Sequence, residues 1–472
     1  MNRQIAQMFG LTVFLFAILV IFTSRWTVFE AESLEDETAN RRPLIEELRQ
    51  PRGLIKARDG TVLARSVAEG RGENRIFTRT YPNGTLFGHA VGYAFVEQGK
   101  AGIEASRDDE LRGDENEFAS IISELQDEDE EGADVITTLD PQAQQVATDA
   151  LAGQNGSVVA LEPQTGRVRV MVSIPQVDPN QVRNREGQIE FLNRATQSRY
   201  PPGSTFKVVA AAAALDTGEY DPESVIDGSS PKEISGVPLA NSGGVSFGPV
   251  SLTDALTNSV NTVFAEVGET IGRETLVEYM DRFGFNQDPQ LDYPDAQMSA
   301  SGIRDQTGEI LDGSAGFDVG RVAIGQGGAE GGIVVTPLQM AQVAGAIGNG
   351  GVLMKPRLTE RVVGKDGRVK ERIEPDEQNR VMKEETAAEL TAMMARVVEE
   401  GTGTAAALSG VSVAGKTGTA EVDNATSNQA WFICFAPVDD PRMAVAVTVE
   451  RTQGQGGTEA APIAAQVLEA LL

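Results

Sequence analysis

The sequence predicts an α+β protein built on one antiparallel sheet of five strands with helices on its faces. A small turn-rich module and a single apolar helix precede it. Three observations carry this. Strand-like runs stand on both sides of a long helical block, two before and three after, which one sheet accommodates. Residues 40–113 alternate short apolar runs with turns. Gln4 to Ser24 carries no charge.

Each element has its reason. Met8 to Phe22 is mostly Leu, Phe, Val and Ile, near the lower length for a membrane-spanning helix. Arg3 and the terminal amine favour a cytoplasmic N-terminus. With no small-x-small cleavage site behind it, the run reads as an uncleaved signal anchor over residues 1–25. A single pass through the cell membrane then leaves the rest of the chain extracytoplasmic. A cleaved signal peptide is the alternative and exports the same bulk. Residues 26–133 form the linker and small module, with runs such as Gly53-Leu-Ile, Thr61-Val-Leu-Ala64 and Tyr81-Pro-Asn-Gly84. The acidic run Asp127 to Glu131 reads as a solvated loop or helix end.

The main domain is expected over residues 134–472. Val135-Ile-Thr-Thr-Leu139 is a strand-like lead-in. Asp140-Pro141 opens a helix to about Leu151, with Asp as N-cap and Pro at the first helical position. A hairpin follows: Ser157 to Leu161, a turn at Glu162-Pro-Gln-Thr-Gly166, and Arg167 to Val172. In the second strand Arg alternates with Val and Met, which predicts one wet face. The middle, from Pro201 to about Gly350, carries helix signals. Strands return at Val411–Glu421, Ala430–Ala436 and Met443–Glu450, and a last helix is expected from about Ala461 to Leu472.

Composition excludes several functions. The chain has 472 residues and a formal net charge of -29. Nucleic-acid binding is disfavoured, since nothing neutralises phosphates. One cysteine, Cys434, permits no intramolecular disulfide and reads as a small core residue. One histidine, His89, rules out multi-histidine metal sites, so no metal and no cofactor is expected. Gly325-Gln-Gly-Gly328 lacks the lysine of a phosphate loop.

Chemistry concentrates in three short patterns: Ser204-Thr-Phe-Lys207, Ser259-Val-Asn261 and Lys416-Thr-Gly418-Thr419. The alanine-rich run Thr205 to Leu215 is helical and ends near Gly218, so Ser204 stands at a helix N-terminus. There the dipole and free N–H groups favour negative charge. Lys207 is one turn on, on the same face. A serine is a poor nucleophile until its proton is taken, and a lysine takes it only when neutral. Burial and a second cation, for which Lys416 is the candidate, lower a lysine's pKa. Ser259 and Asn261 offer a proton relay and an amide holder. Lys416, Thr417 and Thr419 suit a carboxylate, and Gly418 lets a substrate backbone approach. The N–H groups of residues 204 and 419 are a candidate oxyanion hole. Bland alternatives are an N-cap at Ser204 and a polar turn at Ser259. A second serine three before a lysine, Ser229 to Lys232, contains Pro231 and reads as a turn.

The order SxxK, SxN, K-T-G resembles the penicillin-binding proteins, in particular the bitopic class B transpeptidases. Asn193-Arg-Ala195 with Tyr200-Pro-Pro-Gly-Ser-Thr-Phe-Lys207 is similar to the family's nucleophile segment. Ala323-Ile-Gly-Gln-Gly327, Thr336-Pro-Leu-Gln-Met-Ala341, Gly401-Thr-Gly-Thr404 and Val413 to Ala420 are similar to the later stretches. Arg52-Gly-Leu-Ile, Arg58-Asp-Gly-Thr-Val-Leu-Ala64 and Gly102-Ile-Glu104 resemble the class B pedestal. The compact length resembles an actinobacterial subfamily. The resemblance implies a penicillin-binding transpeptidase, serine β-lactamase-like fold and a pedestal of dimerisation type. It implies a peptidoglycan D,D-transpeptidase that forms a serine acyl-enzyme at D-Ala-D-Ala, serving cell-wall synthesis in growth, division and cell shape. Ser204 would be the nucleophile, Lys207 its base and Ser259 the relay. Asn261 would bind the substrate amide; Lys416, Thr417, Gly418 and Thr419 would hold the terminal carboxylate. Peptidoglycan stem peptides and β-lactam antibiotics are the implied ligands, and division or elongation machinery proteins the candidate partners. No separate glycosyltransferase module and no C-terminal repeats are expected.

Three other readings stay open. A β-lactamase needs a second base, and Glu190-Phe-Leu-Asn193 has one residue too few and precedes the nucleophile. A D,D-carboxypeptidase differs only in using water as acceptor. A non-catalytic division scaffold or β-lactam sensor is disfavoured by the intact motifs.

Overall fold

The computed structural model describes residues 2–25, 47–72, 75–113, 132–183, 191–311, 316–328, 331–422 and 426–472. The acidic run Asp127 to Glu131, most of the expected linker and Glu190 lie outside them. The chain divides into two compact units, Met1–Pro51 with Val67–Thr78, and Arg52–Ser66 with Arg79–Leu472. The first contains helix α1 (Asn2–Ser24). At 1.5 Å per residue its 23 residues reach about 35 Å, enough for a hydrocarbon core. Its large side chains, among them Met8, Phe9 and Phe16, are exposed.

The second unit is organised by a five-stranded antiparallel sheet. Its strands are β1 (Gly156–Leu161), β2 (Val168–Ile174), β3 (Ala414–Val422), β4 (Ser427–Ala436) and β5 (Met443–Thr452). They lie in the order β3-β4-β5-β1-β2, so two strands from before the helical block and three from after it share one sheet. Successive side chains on a strand alternate between faces. Here both faces are covered, which is why the strands read as near-continuous apolar runs. Val158, Ala160, Phe432, Cys434 and Val447 pack under helices α2 (Pro141–Ala150) and α7 (Gly456–Leu471). Val159, Leu161, Trp431, Ile433 and Ala446 belong to the larger core with α3 (Lys207–Thr217) and α5 (Pro337–Gly348). Burying each large apolar side chain contributes roughly 1.5–3 kcal/mol.

Double coverage overturns the expectation of a wet face on β2. Every residue of Val168–Ile174 is buried. The Arg169 guanidinium is retained inside by an ion pair with Glu162 and by donating from Nη1 to the Thr138 carbonyl at 2.8 Å. A charge is tolerated inside only with partners of this kind. Cys434 is a buried core residue. The final helix begins about one turn earlier than expected, at Gly456, because Gln455 and Thr458 form a reciprocal capping box.

The lead-in strand, Asp134–Thr137, lies outside the five-stranded sheet and belongs to a second one. It runs parallel to Ile55–Lys56 and antiparallel to Thr359–Val363. Val369–Arg372 extends that second sheet from Thr359–Val363. Two pedestal-like motifs meet beside it at a buried charge. Glu104, fully buried, accepts from Arg52 Nη2 at 3.0 Å and from Arg79 Nε at 2.5 Å.

Helix α2 shows its predicted start. Asp140 accepts at 3.1 Å from the N–H groups of both Gln142 and Ala143, with Pro141 at the first helical position. The same carboxylate meets Arg58 at 2.9 Å. Asp140→Ala should therefore destabilise the second unit by about 1 kcal/mol. A denaturant midpoint indistinguishable from wild type would show that the cap contributes nothing.

Candidate active site

The three motifs are built by three different local devices. Gly203 opens a short 3-10 turn, Gly203–Phe206, with φ 53, a left-handed value that glycine adopts without strain. A Cβ on Gly203 would also stand 2.8 Å from the Thr419 carbonyl oxygen. The turn is held from several sides. Gly203 N–H donates to Gly325 O at 3.0 Å, Thr205 Oγ1 to Pro202 O at 2.8 Å, and Trp431 Nε1 to Pro201 O at 3.0 Å. Upstream, the Tyr200 hydroxyl donates to Glu450, and Arg194 Nε meets the same carboxylate at 2.8 Å. Ser204 sits half-buried in this turn, and α3 begins at Lys207 rather than at Thr205. Gly218 closes α3 in the left-handed conformation, as the sequence implied.

Ser259 and Asn261 occupy the break between Leu252–Thr257 and helix α4 (Asn261–Arg282). Ser259 itself takes a φ of 58, unusual for a residue with a Cβ and costing on the order of 1 kcal/mol or more. Val260 N–H returns to Ala255 O at 2.8 Å, and Asn241 Oδ1 accepts from Thr262 N–H at 2.9 Å, which over-determines the turn. Lys416 to Thr419 lie on β3, an outer strand of the sheet, paired with Ile433 through Ala430 of β4. The bare Cα of Gly418 lets β3 close on the Gly203–Phe206 turn, since a Cβ there would lie 2.6 Å from Pro202 O.

These devices converge on one hydroxyl. Ser259 Oγ lies 3.2 Å from Lys207 Nζ and 3.0 Å from Lys416 Nζ. Lys207 Nζ also reaches Ser259 O and Asn261 Oδ1, each at 2.7 Å. Lys416 Nζ also donates to Thr417 O at 2.9 Å. Both lysines are fully buried. Burial lowers the Lys207 pKa well below its ordinary value, and the charge of Lys416 lowers it further. Burial alone brings Lys416 down to about 7. Two adjacent enclosed ammonium groups repel, so the arrangement favours one proton too few.

No hydrogen bond engages the Ser204 hydroxyl among the described residues. Asn261 spends its carbonyl on Lys207, while Nδ2 donates to Ala240 O at 3.2 Å. Thr417 pairs with Thr402, their Oγ1 atoms 2.6 Å apart, and Thr419 Oγ1 accepts from Gly456 N–H at 3.1 Å. In the sequence Thr402 stands only within Gly401-Thr-Gly-Thr404, and nothing local marks Trp431 or Glu450. Their signal is tertiary, since each acts through a backbone or side-chain contact far along the chain. His89 stands apart, with Nε2 2.9 Å from Pro175 O and its ring against Phe191. Burial depresses its pKa. The Ser229–Lys232 copy is a turn, with Ser229 Oγ donating to Asp227 at 2.6 Å.

Known proteins show the same plan. A family model described as the penicillin binding protein transpeptidase domain matches residues 156–469. One described as the penicillin binding protein A dimerisation domain matches residues 52–135. The peptidoglycan D,D-transpeptidase PbpA of Mycolicibacterium smegmatis is 35% identical, over 100% of this chain and 99% of that protein. Penicillin-binding protein A of M. tuberculosis, solved as a ceftriaxone acyl-enzyme complex, superposes with a TM-score of 0.80 at 33% identity, covering 91% of this chain and 100% of that one. The D,D-transpeptidase domain of a peptidoglycan glycosyltransferase from Eggerthella lenta gives 0.77 at 32%, covering 90% and 98%. By motif order, architecture and full-length similarity, this chain belongs to the class B penicillin-binding protein transpeptidases.

Proposed function

We propose that the chain is a membrane-anchored peptidoglycan D,D-transpeptidase working through an acyl-ester on Ser204. The carrying observation is the convergence of Lys207 and Lys416 on Ser259 Oγ, with the Lys207 N–H bonded to the Ser204 carbonyl in the turn that opens its helix. Neutral Lys207 takes the Ser204 proton as Oγ attacks the penultimate D-Ala carbonyl carbon. The N–H groups of residues 204 and 419 receive the developing oxyanion. As the C–N bond breaks, a proton reaches the departing D-Ala nitrogen through the Ser259 hydroxyl. An amine of a neighbouring stem peptide then attacks the ester and regenerates Ser204. A hydroxyl has one proton to give and two lone pairs, so Ser259 can donate to one lysine while accepting from the other. Thr417 and Thr419 present hydroxyls to the donor carboxylate, with the charge of Lys416 behind them. Asn261, released from Lys207, would meet the substrate amide.

The same reading divides the chain into an anchor over residues 1–25, a linker and dimerisation-like module over 26–133, and the transpeptidase domain over 134–472. Helix α1 would cross the cell membrane with the catalytic domain outside. β-lactams would acylate Ser204, and division or elongation proteins are the candidate partners. Water in place of the amine would make the same site a carboxypeptidase; no observation favours that.

The nucleophile and base are separable by experiment. Intact-mass analysis after penicillin should show one adduct, mapped to Ser204 and absent in Ser204→Ala. Lys207→Ala should lose acylation by ~10²–10⁴ while remaining folded, and His89→Ala should acylate nearly normally. An adduct on another serine, or the reverse ranking of the two bases, would refute the assignment.

The acylation rate constant should depend on pH in a bell. It rises as Lys207 loses its proton, then falls as pH passes the Lys416 value of about 7. Lys416→Arg keeps its charge at every accessible pH, so the alkaline limb should move upward out of range. A limb that stays in place would exclude Lys416 as its origin.

Deleting residues 1–30 should release a soluble protein that still binds penicillin. Recovery of the native full-length chain in the cytoplasmic fraction would contradict the anchor.

A further inference from the structure

We propose that Thr402 is a positioning residue that aims the Thr417 hydroxyl at the terminal carboxylate of the acyl donor. The proposal rests on the reading that Lys416-Thr-Gly-Thr419 receives that carboxylate. Thr402 lies on the turn between helix α6 (Glu384–Glu399) and β3, and is exposed to solvent. Its backbone is tied to the segment carrying Ser259, because Thr402 N–H donates to Thr257 O at 3.3 Å. The following Gly403 N–H returns to Val397 O at 2.9 Å. Its side chain is tied to the third motif through the 2.6 Å contact with Thr417 Oγ1. One residue thus bridges two of the three motifs.

The direction of the hydroxyl protons decides what this bridge does. A hydroxyl that already accepts from the protein must send its own proton elsewhere. Thr419 is in that position, because it accepts from Gly456 N–H, at the start of α7. Thr417 is placed in the same position when Thr402 is the donor of their pair. Lys416 Nζ, 3.5 Å from Thr417 Oγ1, reinforces that sense by approaching the same oxygen with its own hydrogens. Both threonines, two residues apart on β3, then present O–H donors on one face of that strand. A carboxylate has two acceptor oxygens to meet them. An uncharged ester group at the same place gains much less, since hydrogen bonds to a charged acceptor are the stronger kind. Thr402 therefore acts on selectivity for an anionic donor end and not on the bond-breaking step.

The test uses the full chain in detergent and two synthetic D-alanyl thioesters, one with a free terminal carboxylate and one its methyl ester. Thr402→Val should raise the apparent binding constant for the carboxylate thioester about ten-fold and leave its acylation rate constant and the methyl ester unchanged. Thr402→Ser should restore binding. Thr417→Val should show the same carboxylate-only loss, and the double variant should be no worse than Thr417→Val alone, because the two act through one donor. Thermal midpoints report folding, and Thr402→Ser supplies the second measurement if Thr402→Val unfolds: a Ser variant that binds the carboxylate poorly overturns the proposal. Equal loss on both thioesters in Thr402→Val, with carboxylate-only loss in Thr417→Val, makes Thr402 merely structural and leaves the carboxylate reading standing. No discrimination by Thr417→Val overturns the carboxylate reading itself.

Discussion

The arrangement of this site depends on a single half-buried hydroxyl shared by two buried amines. Ser259 Oγ is within hydrogen-bond distance of both Lys207 and Lys416, which come from a helix and a strand that are remote in sequence. Two enclosed cations at this separation are costly, and the cheapest relief is loss of a proton. Burial of the two amines side by side thus lowers the pKa of both lysines. The positive φ of Ser259 follows from the same constraint. Extended or helical backbone at that residue would carry Oγ elsewhere, so the surrounding turn bonds hold a conformation that Ser259 alone disfavours.

Close backbone approach is the second constraint. Gly203 and Gly418 face each other's segments, the first against Thr419 and the second against Pro202. Gly456 admits α7 to the same place, where a Cβ would run into the carbonyl oxygens of Trp431 and Gly418. The Gly203–Phe206 turn, the outer strand and the last helix are therefore packed backbone to backbone. Few side chains intervene to flex, which suits a site whose reacting groups must be held to fractions of an ångström.

Much of this was legible before the structure. Asp140-Pro141, Gly218, the motif order and the two-plus-three strand arrangement all rest on local rules, and local rules act within a few residues. The failures are tertiary. Arg169 alternates with apolar residues as a wet face would, yet Glu162 and the Thr138 carbonyl draw it inside. The strand at Asp134–Thr137 was legible as a strand, but strand pattern does not say which sheet it will join. Nothing in the run Gly401 to Thr404 announces that Thr402 will reach Thr417, because that contact is made by folding fifteen residues of chain back on themselves.

That second sheet has a consequence in time. Asp134–Thr137 lies between Ile55–Lys56, made early, and Thr359–Val363, made more than two hundred residues later. During synthesis the early strands emerge first, with one edge of Asp134–Thr137 unpaired until Thr359–Val363 follows. Unpaired edges are where chains associate wrongly. The small module is completed only when residues near 360 arrive, so its closure reports that most of the catalytic domain has already been delivered.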